Sequence, residues 1–157
     1  MSPFSSHDTL KSALLWHDGL LLGFTPMDNI HEEFVNCVRA IQEASDLEMS
    51  EALNRLNQHA VQHFDDENGW MLETDFPARE CHINEHNAVL KSIREVMELQ
   101  AEGNNQICRE LAQNLAEWFP GHADYLDSAL AHWMCKHRLG GKPVVFRPNL
   151  SRRLSPN

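Results

Sequence analysis

The chain has no long apolar run, no paired-cysteine motif, little basic charge along most of its length and a single tyrosine. Each shortage excludes something. The apolar stretch from Ala13 to Phe24 is broken by His17-Asp18-Gly19 and falls short of the roughly 20 apolar residues that cross a bilayer. No basic segment of note precedes it, so it does not read as a secretory signal; the expected location is the cytoplasm, with no membrane partner. Four cysteines, Cys37, Cys81, Cys108 and Cys135, are scattered without a C-x-x-C pair and read as reduced thiols, small residues whose expected role is packing, with a redox role the alternative for Cys81, which adjoins His82. Lys and Arg number 13 against 23 Asp and Glu, for a net charge of −10. Residues 1–135 carry 7 of the basic residues and all 23 acids, while residues 136–157 carry the other 6 basic residues and no acid. A nucleic-acid binder needs a basic face to neutralise phosphates, and the acidic body offers none. Few segments alternate with the period of a strand, and no internal repeat stands out. At 157 residues the chain is expected to form one domain with a proper core.

Turn and cap signals divide it into four long helical segments. Thr25-Pro26-Met27-Asp28 predicts a helix start, with a hydroxyl cap, proline in the first turn and an acid reaching back, and the pattern runs to about residue 44. Ser50-Glu51 starts a second run to about residue 73. Asp75-Phe76-Pro77 stops that run and opens a third, which ends at Gly103. A fourth begins near Asn105 and continues to about Arg138, with Pro120-Gly121 expected to bend it. Short connections between helices of similar length predict an all-α, up-down-up-down antiparallel four-helix bundle over residues 25–138. Residues 1–24 form an arm expected to pack across that bundle. Residues 139–157 are an irregular basic tail, solvated, docked on the acidic body or offered to a protein partner.

Ten histidines are what this composition has in excess. His63 and Glu67 are four apart on the second helix, and His82 and His86 are four apart on the third, so each pair shares a helix face. His122 and Asp127 on the fourth are five apart, which rotates them about 140° from one another on an ideal helix. A local π-turn, whose period is five, brings them together. His31 stands alone near the start of the first helix. In an antiparallel bundle all seven residues fall at the same end, so four helices converge candidate ligands on one level. Five imidazoles with two carboxylates suit iron, or another first-row ion such as manganese or zinc, and carboxylates are shaped to bridge two ions.

Other chemistries fit fewer of these residues. Ferritin-like di-iron bundles use E-x-x-H pairs, and no histidine here has a glutamate three residues before it. His82-Ile83-Asn84-Glu85-His86 matches the H-x-x-E-H motif of inverted zinc proteases, with Glu85 as general base, but this leaves His31, His63, Glu67 and Asp127 unexplained. His7, His17, His59, His132 and His137 read as surface or capping residues, with His59, one turn before His63, a candidate support for that ligand.

The stretches Leu22-Gly23-Phe24-Thr25-Pro26-Met27-Asp28-Asn29-Ile30-His31, His63-Phe64-Asp65-Asp66-Glu67, His82-Ile83-Asn84-Glu85-His86 and Trp118-Phe119-Pro120-Gly121-His122, followed by Asp127, resemble the hemerythrin and bacteriohemerythrin signature over roughly residues 20–137. The resemblance implies a non-haem di-iron centre that binds dioxygen reversibly without being an enzyme. It implies that His82, His86 and His122 hold one iron and His31 and His63 the other, with Glu67, Asp127 and an oxo or hydroxo group as bridges. Within such a family, oxygen storage or delivery competes with sensing of oxygen, nitric oxide or redox state and with iron handling. Ile30, Phe34, Phe64 and Trp118 are placed to wall a dry oxygen pocket. Tyr125, three residues after His122, is read either on nearly the same face, where its hydroxyl would reach bound oxygen, or toward a helix interface with its hydroxyl at the rim.

Overall fold

The computed structural model describes residues 14–138, and among these there is no strand. Residues 1–13 and the basic tail from residue 139 onward, with His7 and the docking role expected of the tail, lie outside the described residues. Four long helices form the bundle: α1 (Thr25–Glu43), α2 (Met49–Glu73), α3 (Arg79–Ala101) and α4 (Gln106–His122). α4 runs through a π-turn, Ala123–Asp127, into α5 (Ser128–Arg138). Each long helix packs on two others, α1 and α3 both lying against α2 and α4, as an up-down-up-down bundle requires.

The helices form because their apolar residues recur on one stripe. In α1 the buried positions are Met27, Asp28, His31, Phe34, Val35, Cys37, Val38 and Ile41, and in α3 they are His82, His86, Val89, Ile93 and Val96. Their ends follow local chemistry. No hydroxyl caps α1, contrary to the expectation for Thr25: Phe24 takes the cap position. The acid does reach back, since Asp28 Oδ1 accepts from the Leu22 N–H at 2.8 Å and Oδ2 from the Gly23 N–H at 3.1 Å. Gly23 has φ +91°, a conformation suited to glycine, which turns the incoming chain onto α1. α2 starts a turn after Ser45, whose hydroxyl and N–H both bond Glu48 Oε1, so the boxed pair precedes the Ser50-Glu51 expected from sequence. α3 closes on Gly103 at φ +98°, with Asn104 N–H bonding Leu99 C=O and Gly103 N–H bonding Gln100 C=O.

Two apolar clusters divide the bundle. The larger is built on Phe34, Ile41, Leu53, Leu56, Ile93 and Phe119, and Leu14, Trp16 and Leu20 of the preceding segment pack on it. The smaller, formed by Phe24, Met27, Met71, Phe76, Leu130 and Met134, fills the end where the α2–α3 connection and α5 meet. Between them lies a layer of buried polar side chains. Cys37 and Cys108 are core residues, but Cys81 is exposed and packs against no core, because it stands one position off the inward stripe of α3. Among the described residues no helix is long and apolar enough to cross a membrane.

Asp28 joins the entering chain to α1 three residues before His31. Asp28→Ala leaves two backbone donors without their acceptor and is expected to cost about 1–2 kcal/mol. Urea denaturation reads this directly, and an unchanged midpoint would remove Asp28 from the stability of this end.

Candidate metal centre

The polar layer consists of His31 from α1, His63 and Glu67 from α2, His82 and His86 from α3, His122 from the end of α4 and Asp127 from the π-turn. All seven are at most 5% exposed, so their charges have no water to solvate them. The π-turn is what admits Asp127. Ser128 N–H bonds Ala123 C=O, five residues back, and the widened turn sets Asp127 Oδ1 3.2 Å from His122 Nε2. Pro120 lies inside α4, just before this widening, where it cannot donate to the preceding turn.

The two carboxylates divide their oxygens between two groups of imidazoles. Glu67 Oε1 lies 3.2 Å from His31 Nε2 and 2.5 Å from His63 Nε2, whereas Oε2 lies 3.6 Å from His82 Nε2 and 3.4 Å from His86 Nε2. Asp127 Oδ2 lies 3.1 Å from His31 Nε2, and Oδ1 lies 2.8 Å from His82 Nε2. Ligand atoms therefore gather in two groups, one of Glu67, His82, His86, His122 and Asp127, the other of His31, His63 and Glu67. In both, each imidazole presents Nε2.

Burial alone would push both carboxyls up, but neighbouring imidazoles reverse this. His63 and the hydrogen bonds of His31, His63 and His82 hold Glu67 well below the usual carboxylate range. Asp127 is opposed by burial and by the Glu67 charge, yet contacts with His122, His31 and His82 keep it low. Burial likewise disfavours the charged forms of His31 and His82, but their contacts with Asp127 and Glu67 raise them to about 10 and about 9. His86 is lowered, chiefly by burial.

This arrangement fits bound metal. Glu67 Oε2, both Asp127 oxygens and the Nε2 atoms of His82, His86 and His122 are buried and lack a well-formed hydrogen bond, and all converge on one space. Orphaned acceptors of this kind are costly unless a cation satisfies them. The donor set is imidazole and carboxylate with no thiolate, which suits intermediate first-row ions.

The imidazoles of this layer are packed by aromatic rings. Phe64 stacks on His86 at 4.2 Å between centroids, and Trp118 on His122 at 4.2 Å. Phe34 meets His63 edge-on at 5.6 Å, and Phe119 meets His31 edge-on at 5.2 Å. Ile30 is half-buried and, with His59 and His63, lines a cleft of about 370 Å³ between α1 and α2. His59 packs on His63 at 5.2 Å, with Nδ1 3.6 Å from Glu33 Oε2; burial and the nearby His63 and His31 lower it to about 4, so it is neutral. Tyr125 is not on the face expected of it beside His122: it is 80% exposed and faces away from the cluster. The same π-turn explains this, because a period of five brings residue 127 under His122 and swings residue 125 outward.

Three residues near the ligands were missed by spacing alone. Phe119 could have been found one turn before His122 on the apolar stripe. Asn68 Oδ1 lies 2.8 Å from His86 Nδ1, and Glu85 Oε1 lies 3.1 Å from His122 Nδ1. Glu85 also accepts from Trp118 Nε1 at 3.2 Å; burial opposes its ionisation, and these contacts with His122 and Trp118 bring it below the usual carboxylate value. So engaged, Glu85 is not disposed as the free general base that a zinc-protease reading demands.

A helical bundle with a buried imidazole–carboxylate cluster drawn from every long helix defines a class of metal-binding proteins. The model of the hemerythrin HHE cation binding domain matches residues 22–133, and the chain belongs to the hemerythrin family. It is 36% identical over 121 residues to a bacteriohemerythrin of Ralstonia nicotianae, covering 77% of this chain and 88% of that protein. No solved structure matches the chain.

Glu67→Ala and His122→Ala are expected to lose bound metal, whereas His137→Ala, on the exposed end of α5, is expected to keep it. Elemental analysis of the purified variants separates them, and equal metal content in all three would contradict the placement of the site.

Proposed function

We propose that this chain holds two iron ions and binds dioxygen reversibly, as an oxygen-binding protein rather than an enzyme. The observation that carries this reading is the division of five imidazoles, three and two, about two carboxylates that each offer one oxygen to either side. His82, His86 and His122 would hold one ion, His31 and His63 the other, with Glu67, Asp127 and an oxo or hydroxo group shared. When bound, such an iron pair supplies the two electrons that reversible dioxygen uptake withdraws and returns.

The rest is the work of the chain's own residues. The His31–His63 side has one imidazole fewer, so it is the side with room for a small ligand. The cleft between α1 and α2 reaches it, with His63 and Ile30 in its wall. Phe34 and Phe119 cover the same side and would exclude water and its protons from it. Phe64 and Trp118 stack on imidazoles of the three-histidine side, and Phe64 also meets His63 at 4.8 Å, so both keep a place in the wall of the pocket. His59 is neutral beside His63 and adds bulk to the wall without adding an acid. The similarity to a protein named bacteriohemerythrin supports iron and oxygen over zinc and hydrolysis.

Iron analysis and visible spectra of protein loaded with ferrous iron under argon test the proposal. Two irons per chain and an absorption change that appears in air and disappears on deoxygenation are expected; a single zinc, or irreversible oxidation alone, would contradict it. Because Tyr125 points outward, Tyr125→Phe is expected to leave the decay rate of the oxygenated spectrum unaltered. A clearly slower decay in stopped-flow would put the phenol at the site after all.

A further inference from the structure

We propose that Glu85 is a positioning residue for the three-histidine side: by accepting the Nδ1 proton of His122 it fixes that ring with Nε2 toward Asp127 and so governs how tightly that side holds its metal. This rests on the metal reading above. Glu85 lies between His82 and His86 in sequence, yet its carboxylate does not join the cluster they enter. It crosses to α4, where Oε1 receives two donors, His122 Nδ1 at 3.1 Å and Trp118 Nε1 at 3.2 Å. Those donors are four residues apart on one face, and their rings stack at 4.2 Å with 29° between planes. One oxygen thus pins a two-ring stack.

The chemical consequence follows from the imidazole. A carboxylate only accepts, so Nδ1 must carry the proton, and the neutral ring then presents its lone pair at Nε2. That atom is the one 3.2 Å from Asp127 Oδ1. His86 is held in the same way by Asn68, but by a neutral amide oxygen at 2.8 Å, and no side chain bonds Nδ1 of His31, His63 or His82. His122 is therefore the one ligand candidate among the described residues whose far nitrogen meets an anion. An ionised acceptor gives a stronger bond than a neutral one and makes the imidazole a better donor. Glu85 is 39% exposed, so replacing it leaves no large cavity and no buried charge. The H-x-x-E-H pattern acquires a reason independent of proteolysis: the glutamate serves a histidine on the next helix.

The test uses the whole chain loaded anaerobically with two equivalents of ferrous iron and then challenged with excess chelator. Wild type, Glu85→Gln and Glu85→Ala are each expected to fold and take up two irons. One of the two irons should leave Glu85→Ala about 10–100 times faster than wild type. Glu85→Gln, whose amide oxygen still accepts, should fall between wild type and the alanine variant. A second readout needs no iron: in ¹H–¹⁵N spectra taken before loading, an exchange-protected His122 Nδ1–H signal is expected in wild type and Glu85→Gln and absent in Glu85→Ala. Equal release rates with two irons bound, or a surviving Nδ1–H signal in Glu85→Ala, would overturn the role of Glu85. Wild-type protein that takes up fewer than two irons would instead contradict the proposed function, and the Nδ1–H signal would still decide the inference.

Discussion

Glu67 and Asp127 sit fully buried at the centre of the bundle, each with its oxygens split between two groups of imidazoles. Much of the rest of the structure can be traced to keeping those two carboxylates in that position. Two anions in an apolar bundle repel one another and lack solvent, so the surrounding imidazoles are a condition of folding as well as of binding. Four helices must contribute, because no single helix face can surround a carboxylate. The π-turn is required because Asp127 would otherwise point away from His122.

Apolar packing makes so polar a layer tolerable. The larger cluster presses aromatic rings onto the imidazoles from one side, and the smaller one closes the other side. Phe119 belongs to both structure and site: it is 1% exposed and meets His31. A phenylalanine in such a position contributes about 3–5 kcal/mol when judged by truncation to alanine, which is comparable with the whole net stability of many domains. The polar layer is thus held by packing that the sequence places on the same helical stripes as the imidazoles and carboxylates themselves.

Those stripes explain how much of the molecule was legible in advance. Histidines and carboxylates at helical spacing, combined with antiparallel order, placed seven residues at one level, and the five-residue gap from His122 to Asp127 pointed to the π-turn. The same turn explains the failure at Tyr125, since reading residue 125 with α-helical spacing puts it on the wrong face. Glu85 and Asn68 were not legible because their roles depend on which neighbouring helix each faces. Spacing along one chain segment carries no such information. Thr25 resembled a cap by residue type, but Asp28 could satisfy two earlier N–H groups at once and made a hydroxyl cap unnecessary. Cys81 was expected to pack, yet a single step off the stripe of α3 leaves it in solvent.

A crystal structure of iron-loaded protein, with anomalous difference density collected at the iron edge, tests the central claim most directly. The account predicts two peaks about 3.5–4 Å apart, one beside His82, His86 and His122 and the other beside His31 and His63, with Glu67 and Asp127 each touching both. A single peak, or two peaks with either carboxylate confined to one of them, would contradict it.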